Sequence, residues 1–302
     1  MNWLIVTILS YFFLALVSLF DRYLLIRSNL NPYSYTFFIG ISWFFIAPFL
    51  IPFGLNFEAL QASIFAILAG IFSVPAILFL SKGILKSEVS RVVPAIGGFL
   101  PIFTFLLFLF FIPQRESLNL FNIISFFLLI SGSILVSSEK FSFKDFNLKN
   151  LKYPILSAFF WSLRFFLTKL SFFKLNFATG FFLILIGGAV FSLTFLFFRK
   201  IRKQIFSSKP SFKISGLFIL GQVFGGIGVL LQNFAVFLAK PFQVPFINAL
   251  EGTRYIFLIF FVWFLSIFNP RILKEKIRGK ILYQKIFSVI LIGTGLAILA
   301  LK

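Results

Sequence analysis

Ten apolar runs decide what this chain can become: Asn2–Phe20, Tyr35–Phe53, Ala59–Leu80, Val92–Ile112, Leu120–Ser137, Tyr153–Phe172, Phe177–Phe198, Ile214–Leu238, Phe242–Phe268 and Ile286–Leu301. A helix that crosses the hydrocarbon of a bilayer needs about 20 predominantly apolar residues, and each run is of that order. The longest polar gaps, 138–152, 199–213 and 269–285, are too short to hold a soluble domain. With 12% charged residues, the chain carries about half the share of an ordinary soluble domain. The pattern predicts an all-α membrane protein of ten transmembrane helices, multi-pass in the cell membrane. The first run follows no basic segment, and Asp21-Arg22 stands where a small-residue cleavage site would be. It therefore reads as a span and not as a signal peptide.

Composition then removes whole classes of chemistry. The chain has no Cys and no His. Disulfides, Cys/His zinc sites, thiol nucleophiles and imidazole acid–base catalysis are excluded. No G-x-x-x-x-G-K-[ST] phosphate loop is present, so the chain has no ATP motor of its own. An intramembrane enzyme would want paired acids or a Ser/Lys dyad within the helices, whereas Glu251 is the one acid well inside a run. The expectation is a protein that is not an enzyme, with no cofactor and no metal.

The charge balance is strongly basic, 28 Lys and Arg against 8 Asp and Glu. In a soluble chain that would suggest nucleic acid. Here 21 of the 28 fall in the gaps after runs 1, 3, 5, 7 and 9, where they read as topology determinants and contacts to anionic lipid head groups, with no nucleic-acid partner. Five more (Arg115, Lys169, Lys174, Lys240 and Lys302) lie toward the opposite side, and Arg164 and Arg254 fall inside runs. The positive-inside rule places the odd-numbered gaps in the cytoplasm and both termini outside.

Laid over each other, the two halves of the chain correspond. Asn31 aligns with Asn176, and Phe20-Asp21-Arg22-Tyr23 with Leu167-Thr168-Lys169-Leu170. Val93-Pro94-Ala95-Ile96 aligns with Val244-Pro245-Phe246-Ile247, and Gly132 with Gly295. The colinear order predicts two five-helix repeats, 1–138 and 150–302. Because five is odd, the second enters the membrane from the opposite side, as an inverted repeat.

With these features the chain resembles the drug/metabolite transporter superfamily, in particular its ten-helix EamA-like members. The likeness rests on the two five-helix halves and on the basic residue ending the first helix of each, Arg22 and Lys169. It rests further on the Pro-bearing fourth and ninth helices, on Glu116 and Glu275 before each last helix, and on Ser131-Gly132-Ser133 and Gly293-Thr294-Gly295. The resemblance implies a secondary carrier of small organic molecules with a central cavity between the halves. Two departures stand beside it: family members of this length usually keep both termini in the cytoplasm, and the loop 269–285 is longer and more basic than its partner after the fourth run.

Ionisable groups inside a membrane cost about 2.5–3.5 kcal/mol on insertion scales, so each needs a reason. Glu251 and Arg254 lie near the middle of the ninth run and share a helical face at i, i+3. They either lock helix packing as an ion pair or form a substrate or proton site with Glu251 as the titratable group. Arg164 lies mid-way along the sixth run. It either snorkels to an interface or faces the cavity, where a net positive site would suit a carboxylate or phosphate. Gln232, Asn233 and Asn248 either satisfy one another between helices or bind substrate. Gly221, Gly225, Gly226 and Gly228 read as a helix-contact stripe. Trp161 and Tyr255 pack or line a cavity. The repeat-related prolines Pro94 and Pro245 are candidate hinges. The function these readings favour is alternating-access transport of a small organic metabolite, anionic or amphiphilic, by a monomer, with Glu251 available to couple protons. The alternative is a translocator of lipid-linked or amphiphilic molecules between leaflets.

Overall fold

The structure, a computed structural model, describes residues 2–27, 31–86, 89–112, 120–137, 148–207, 212–268 and 280–300. Glu116, Glu275, Lys302 and most of the basic loops lie outside the described residues, as do the side chains of Asp21, Arg22 and Pro94.

Among the described residues every regular element is helical. The order is α1 (Asn2–Arg27), α2 (Pro32–Ile46), α3 (Leu60–Lys86), α4 (Val89–Phe111), α5 (Leu120–Ser137), α6 (Leu148–Ser171), α7 (Phe177–Leu193), α8 (Arg199–Ser207), α9 (Phe212–Leu238), α10 (Val244–Ala249), α11 (Glu251–Phe268) and α12 (Lys280–Ala300). Single 3₁₀ stretches extend α2 through Ala47–Phe53 and α7 through Thr194–Phe197, and another, Pro241–Gln243, precedes α10. Each apolar run of the sequence coincides with a helical segment. Helix is the fold such runs favour, because it satisfies every backbone N–H and C=O within the segment.

Five segments are long and apolar enough to cross a membrane: Pro32–Phe53, Leu60–Lys86, Phe177–Phe197, Phe218–Leu238 and Pro241–Phe261. Asn2–Ser18, Ala95–Phe111, Leu120–Val136 and Tyr283–Ile298 are apolar but shorter. α6 belongs to neither set, since Lys149, Lys152, Arg164 and Lys169 interrupt its apolar character. These segments make the chain a membrane protein by length and composition.

Local signals start the helices where the sequence places them. Asn31 caps α2, its Oδ1 accepting from Ser34 N at 2.9 Å, and Asn176 caps α7 in the same manner, accepting from Thr179 N at 2.8 Å. Gly54 ends the 3₁₀ extension of α2 at φ 76°, a conformation that favours glycine. The loop after it is tied to the start of α7 by Asn176 Nδ2 donating to Gly54 O and Asn56 N donating to Thr179 Oγ1.

The helices pack in pairs, α1 along α9, α3 along α6, and α5 along α12, with α7 against α2 and α3, and α4 between α5, α6 and α10. Small residues set the closest approaches, as expected where apolar side chains gain nothing by leaving lipid. The stripe on α9 faces α1: a Cβ at Gly228 would meet Leu14 Cγ at 2.8 Å, one at Gly225 Val17 Cγ2 at 3.6 Å, and one at Gly221 Phe20 Cβ at 3.3 Å. α3 and α7 cross with Gly70, Gly187 and Gly188 in backbone contact. α8 lies beside this core, tucking Ile201 and Ile205 against Phe37, Val74 and Phe195 and leaving Lys200, Arg202 and Lys203 exposed.

Candidate functional site

The ninth apolar run is not one continuous helix. α10 stops at Ala249, Leu250 turns at φ −72°, ψ −1°, and α11 begins at Glu251. Pro245, a candidate hinge in the sequence, opens α10 at its first turn, where the missing N–H is harmless. The interruption comes farther on, at Leu250, and the backbone group it frees is the N–H of Gly252. That N–H donates to Ser133 Oγ of α5 at 3.0 Å, and the same hydroxyl donates to Ala249 O at 2.8 Å. One side chain from a neighbouring helix thus replaces the backbone partners that the break removes. Pro94 falls within α4, but its side chain is outside the described residues.

Glu251 therefore occupies the first turn of α11 and not the middle of a helix. A carboxylate is favoured there by the exposed N–H groups and the positive end of the helix dipole. Its Oε1 lies 3.7 Å from Arg254 Nη1, and the side chains are 14% and 24% exposed respectively. Its other oxygen, Oε2, is buried without a hydrogen-bond partner among the described residues and lies 3.9 Å from where a Cβ on Gly97 would stand. Arg254 reaches across to α1, its Nε donating to Ser18 Oγ at 2.9 Å, while Ser18 donates to Leu14 O.

Polar groups from α1, α4, α9, α10 and α11 gather around the break that holds this pair. Tyr11 of α1 donates its hydroxyl to Ile247 O at 2.8 Å, next to the break. Gln232 of α9 approaches the Tyr11 phenol, and Tyr11 and Tyr255 both lie within the electrostatic field of Glu251 and Arg254. Asn248, fully buried, donates through Nδ2 to Thr104 Oγ1 of α4 at 2.9 Å, and its Oδ1 has no hydrogen-bond partner among the described residues. Asn233 turns back on its own helix, donating to Val229 O at 2.7 Å. The structure thus brings Glu251, Arg254, Tyr255, Asn248 and Gln232 around one helix break.

Arg164 and Trp161 form a separate group on α6. The guanidinium stands over Trp161 with 5.1 Å between its carbon and the ring centroid, and 5.0 Å from Phe165. Arg164 is 3% exposed, so it does not snorkel to an interface.

Two contributors that the sequence marks only as repeat features, not as candidate site residues, also belong here. Ser133 is one hydroxyl among many in an apolar helix, and only the tertiary approach of Gly252 gives it a role. Lys169, read as a helix-end residue, is 6% exposed, and its Nζ donates to Val236 O at 3.2 Å and Phe237 O at 3.3 Å. It holds the last carbonyls of α9, where a cation is favoured.

No family model and no curated protein sequence matches the chain. Its fold is similar to that of a protein known from a crystal structure, with a TM-score of 0.64 at 14% identity over 99% of this chain and 96% of that one. At that identity the likeness speaks for the fold alone.

Proposed function

We propose that the chain is a secondary transporter of a small organic metabolite in the cell membrane, with ten spans in two inverted five-helix halves of the EamA-like, drug/metabolite transporter kind. The pairing of helices supports the repeat. Exchanging spans 1 and 6, 2 and 7, 3 and 8, 4 and 9, and 5 and 10 turns the α3–α6 contact into the α9–α1 contact. It turns α4–α6 into α11–α1 and carries α2–α7, α4–α10 and α5–α12 onto themselves. The detail follows: a Cβ at Gly132 would meet Ser288 O at 3.1 Å, and one at Gly295 would meet Ser125 O at 3.3 Å. The Asn31 and Asn176 caps are a second equivalent pair.

The observation that carries the functional reading is the break in the ninth span with Glu251 at its edge. Broken helices near the centre of inverted repeats are where transporters place substrate and coupling ions, because freed backbone groups and half-helix dipoles are available there. A packing ion pair has no need of an unpartnered carboxylate oxygen. Protonation of Glu251 would release Arg254, whose remaining link among the described residues is to Ser18 on α1. The Tyr11–Ile247 and Asn248–Thr104 bonds also join the first half to α10, so rocking of the halves would make and break the same set.

Reconstitution tests this. The purified protein in proteoliposomes is expected to accumulate one or more members of a labelled metabolite panel when an inward proton gradient is imposed, above protein-free vesicles. Flux of no solute, with movement of a labelled lipid between leaflets instead, would replace the carrier by the translocator.

A further inference from the structure

We propose that α6 carries an oxyanion-binding site of its own, built from Arg164 and Thr168, that takes a carboxylate or phosphate group. As the place where a transported solute is held, it rests on the transporter reading; as a binding site, it does not.

The two residues are a helical turn apart at i, i+4, a spacing that puts their Cβ atoms about 5–6 Å from each other on one face. Arg164 is 3% exposed and Thr168 1% exposed. Arg164 Nη1 and Thr168 Oγ1 are both buried without a hydrogen-bond partner among the described residues. A threonine in a helix ordinarily donates to a carbonyl one turn back, as Thr7, Thr36 and Thr104 do here. Thr168 leaves that bond unmade, so its hydroxyl is available.

Charge makes the same demand. A guanidinium keeps its proton, so burial cannot neutralise it as it can a lysine. A buried cation without a partner is penalised by several kcal/mol. Of the two carboxylates whose side chains are described, Glu58 is exposed and Glu251 pairs with Arg254. The rings of Trp161 and Phe165 offset part of the penalty through their faces, but a ring face offers no in-plane acceptor to the N–H groups. What fits is a group with two or three acceptor oxygens that bridges guanidinium N–H and threonine O–H, as a carboxylate or phosphate does. The Trp161 ring beside it supplies an apolar wall for the rest of the ligand.

The test uses the full-length protein in detergent, with benzoate, inorganic phosphate and phosphatidylglycerol in mixed micelles as probes. A saturable rise in Tm and a measurable Kd are expected with at least one of the three. Arg164→Gln is expected to abolish the effect, Thr168→Val to weaken Kd about tenfold, as loss of a bond to a charged group does, and Arg254→Gln to leave it in place. A response to benzoate or phosphate assigns the site to a soluble solute, and a response to phosphatidylglycerol alone assigns it to a lipid head group. Arg164→Gln without ligand is expected to melt at or above the wild-type temperature, because it removes an uncompensated charge; a lower Tm there would mean that Arg164 is held by the protein and would overturn the site. So would absence of any response, or a response that survives Arg164→Gln. Binding without flux would leave the oxyanion site standing and remove the carrier, whereas flux indifferent to Arg164→Gln would leave the carrier and overturn Arg164 as the place where its solute is held.

Discussion

Ser133 stands within the backbone of a helix to which it does not belong. Its hydroxyl accepts from Gly252 N–H and donates to Ala249 O, bridging the gap between α10 and α11 from α5. The approach depends on glycine, since a Cβ at 252 would collide with Ser133 Oγ and would come within 2.7 Å of Ile292 Cδ1. Ser133→Ala leaves a buried donor and a buried acceptor unsatisfied, and about 1–3 kcal/mol of stability is expected to be lost. Gly252→Ala is expected to be worse, because it displaces Ser133 as well as losing its bond. Thermal unfolding of the two variants and of Ser133→Ala/Gly252→Ala measures this. The double variant should recover part of the Gly252→Ala loss by making room, and strictly additive losses would contradict the geometry.

Glu251 and Arg254 form a pair whose members each need the other. Removing one side leaves a partly buried charge uncompensated, which is more damaging than removing both. Glu251→Gln and Arg254→Gln are therefore each expected to lower Tm more than Glu251→Gln/Arg254→Gln does. In proteoliposomes Glu251→Gln is expected to end accumulation driven by a proton gradient while leaving exchange of solute across the membrane. Accumulation of undiminished size in Glu251→Gln, across a range of pH, would remove Glu251 from coupling.

Much of this arrangement is legible in the chain before any coordinates. The apolar runs coincide with helices, because in lipid a backbone has few other ways to satisfy itself. The glycines of the eighth run announce a helix contact, and Asn31 and Asn176, aligned in the sequence only as a repeat pair, prove equivalent in the structure as caps of α2 and α7. The i, i+3 spacing of Glu251 and Arg254 likewise allows their pairing. What the sequence hides is which helix faces which. Pro245 draws attention as the breaker of the ninth run, yet the break lies at Leu250, where a serine 119 residues away from Gly252 completes the freed backbone. Gly187 and Gly188 give no more warning than other glycines, though they carry the α3–α7 crossing. Lys169 has the composition of an interfacial residue and the surroundings of a buried one.

Lys169 acts on a helix end at a distance in sequence of more than sixty residues, binding Val236 O and Phe237 O at the close of α9. Those carbonyls have no partner within their own helix. Lys169→Met keeps the length of the side chain and removes the donor, and a loss of about 1–2 kcal/mol is expected from a partly buried cation at a helix C-terminus. Lys169→Arg is expected to retain most of the stability. Unfolding of the three proteins in one detergent decides it; an unchanged Lys169→Met would make the contact incidental.

The basic gaps predict an orientation in the membrane, and the absence of cysteine makes it simple to check, because a single introduced thiol is then the only one in the chain. Asn56 is exposed in the short loop between α2 and α3, and Ser207 is exposed at the end of the basic helix α8. If the positive-inside rule governs, Asn56→Cys in intact cells reacts with a membrane-impermeant maleimide, and Ser207→Cys reacts only after the cells are opened. The gap holding Ser207 carries six of the chain's Lys and Arg residues, whereas 54–58 carries none, so the two positions sample the extremes of the asymmetry. Labelling in the opposite order would turn the molecule over, placing both termini in the cytoplasm as the resembling family does. The basic loops would then face the outer leaflet and could not be held by the anionic lipids of the inner one.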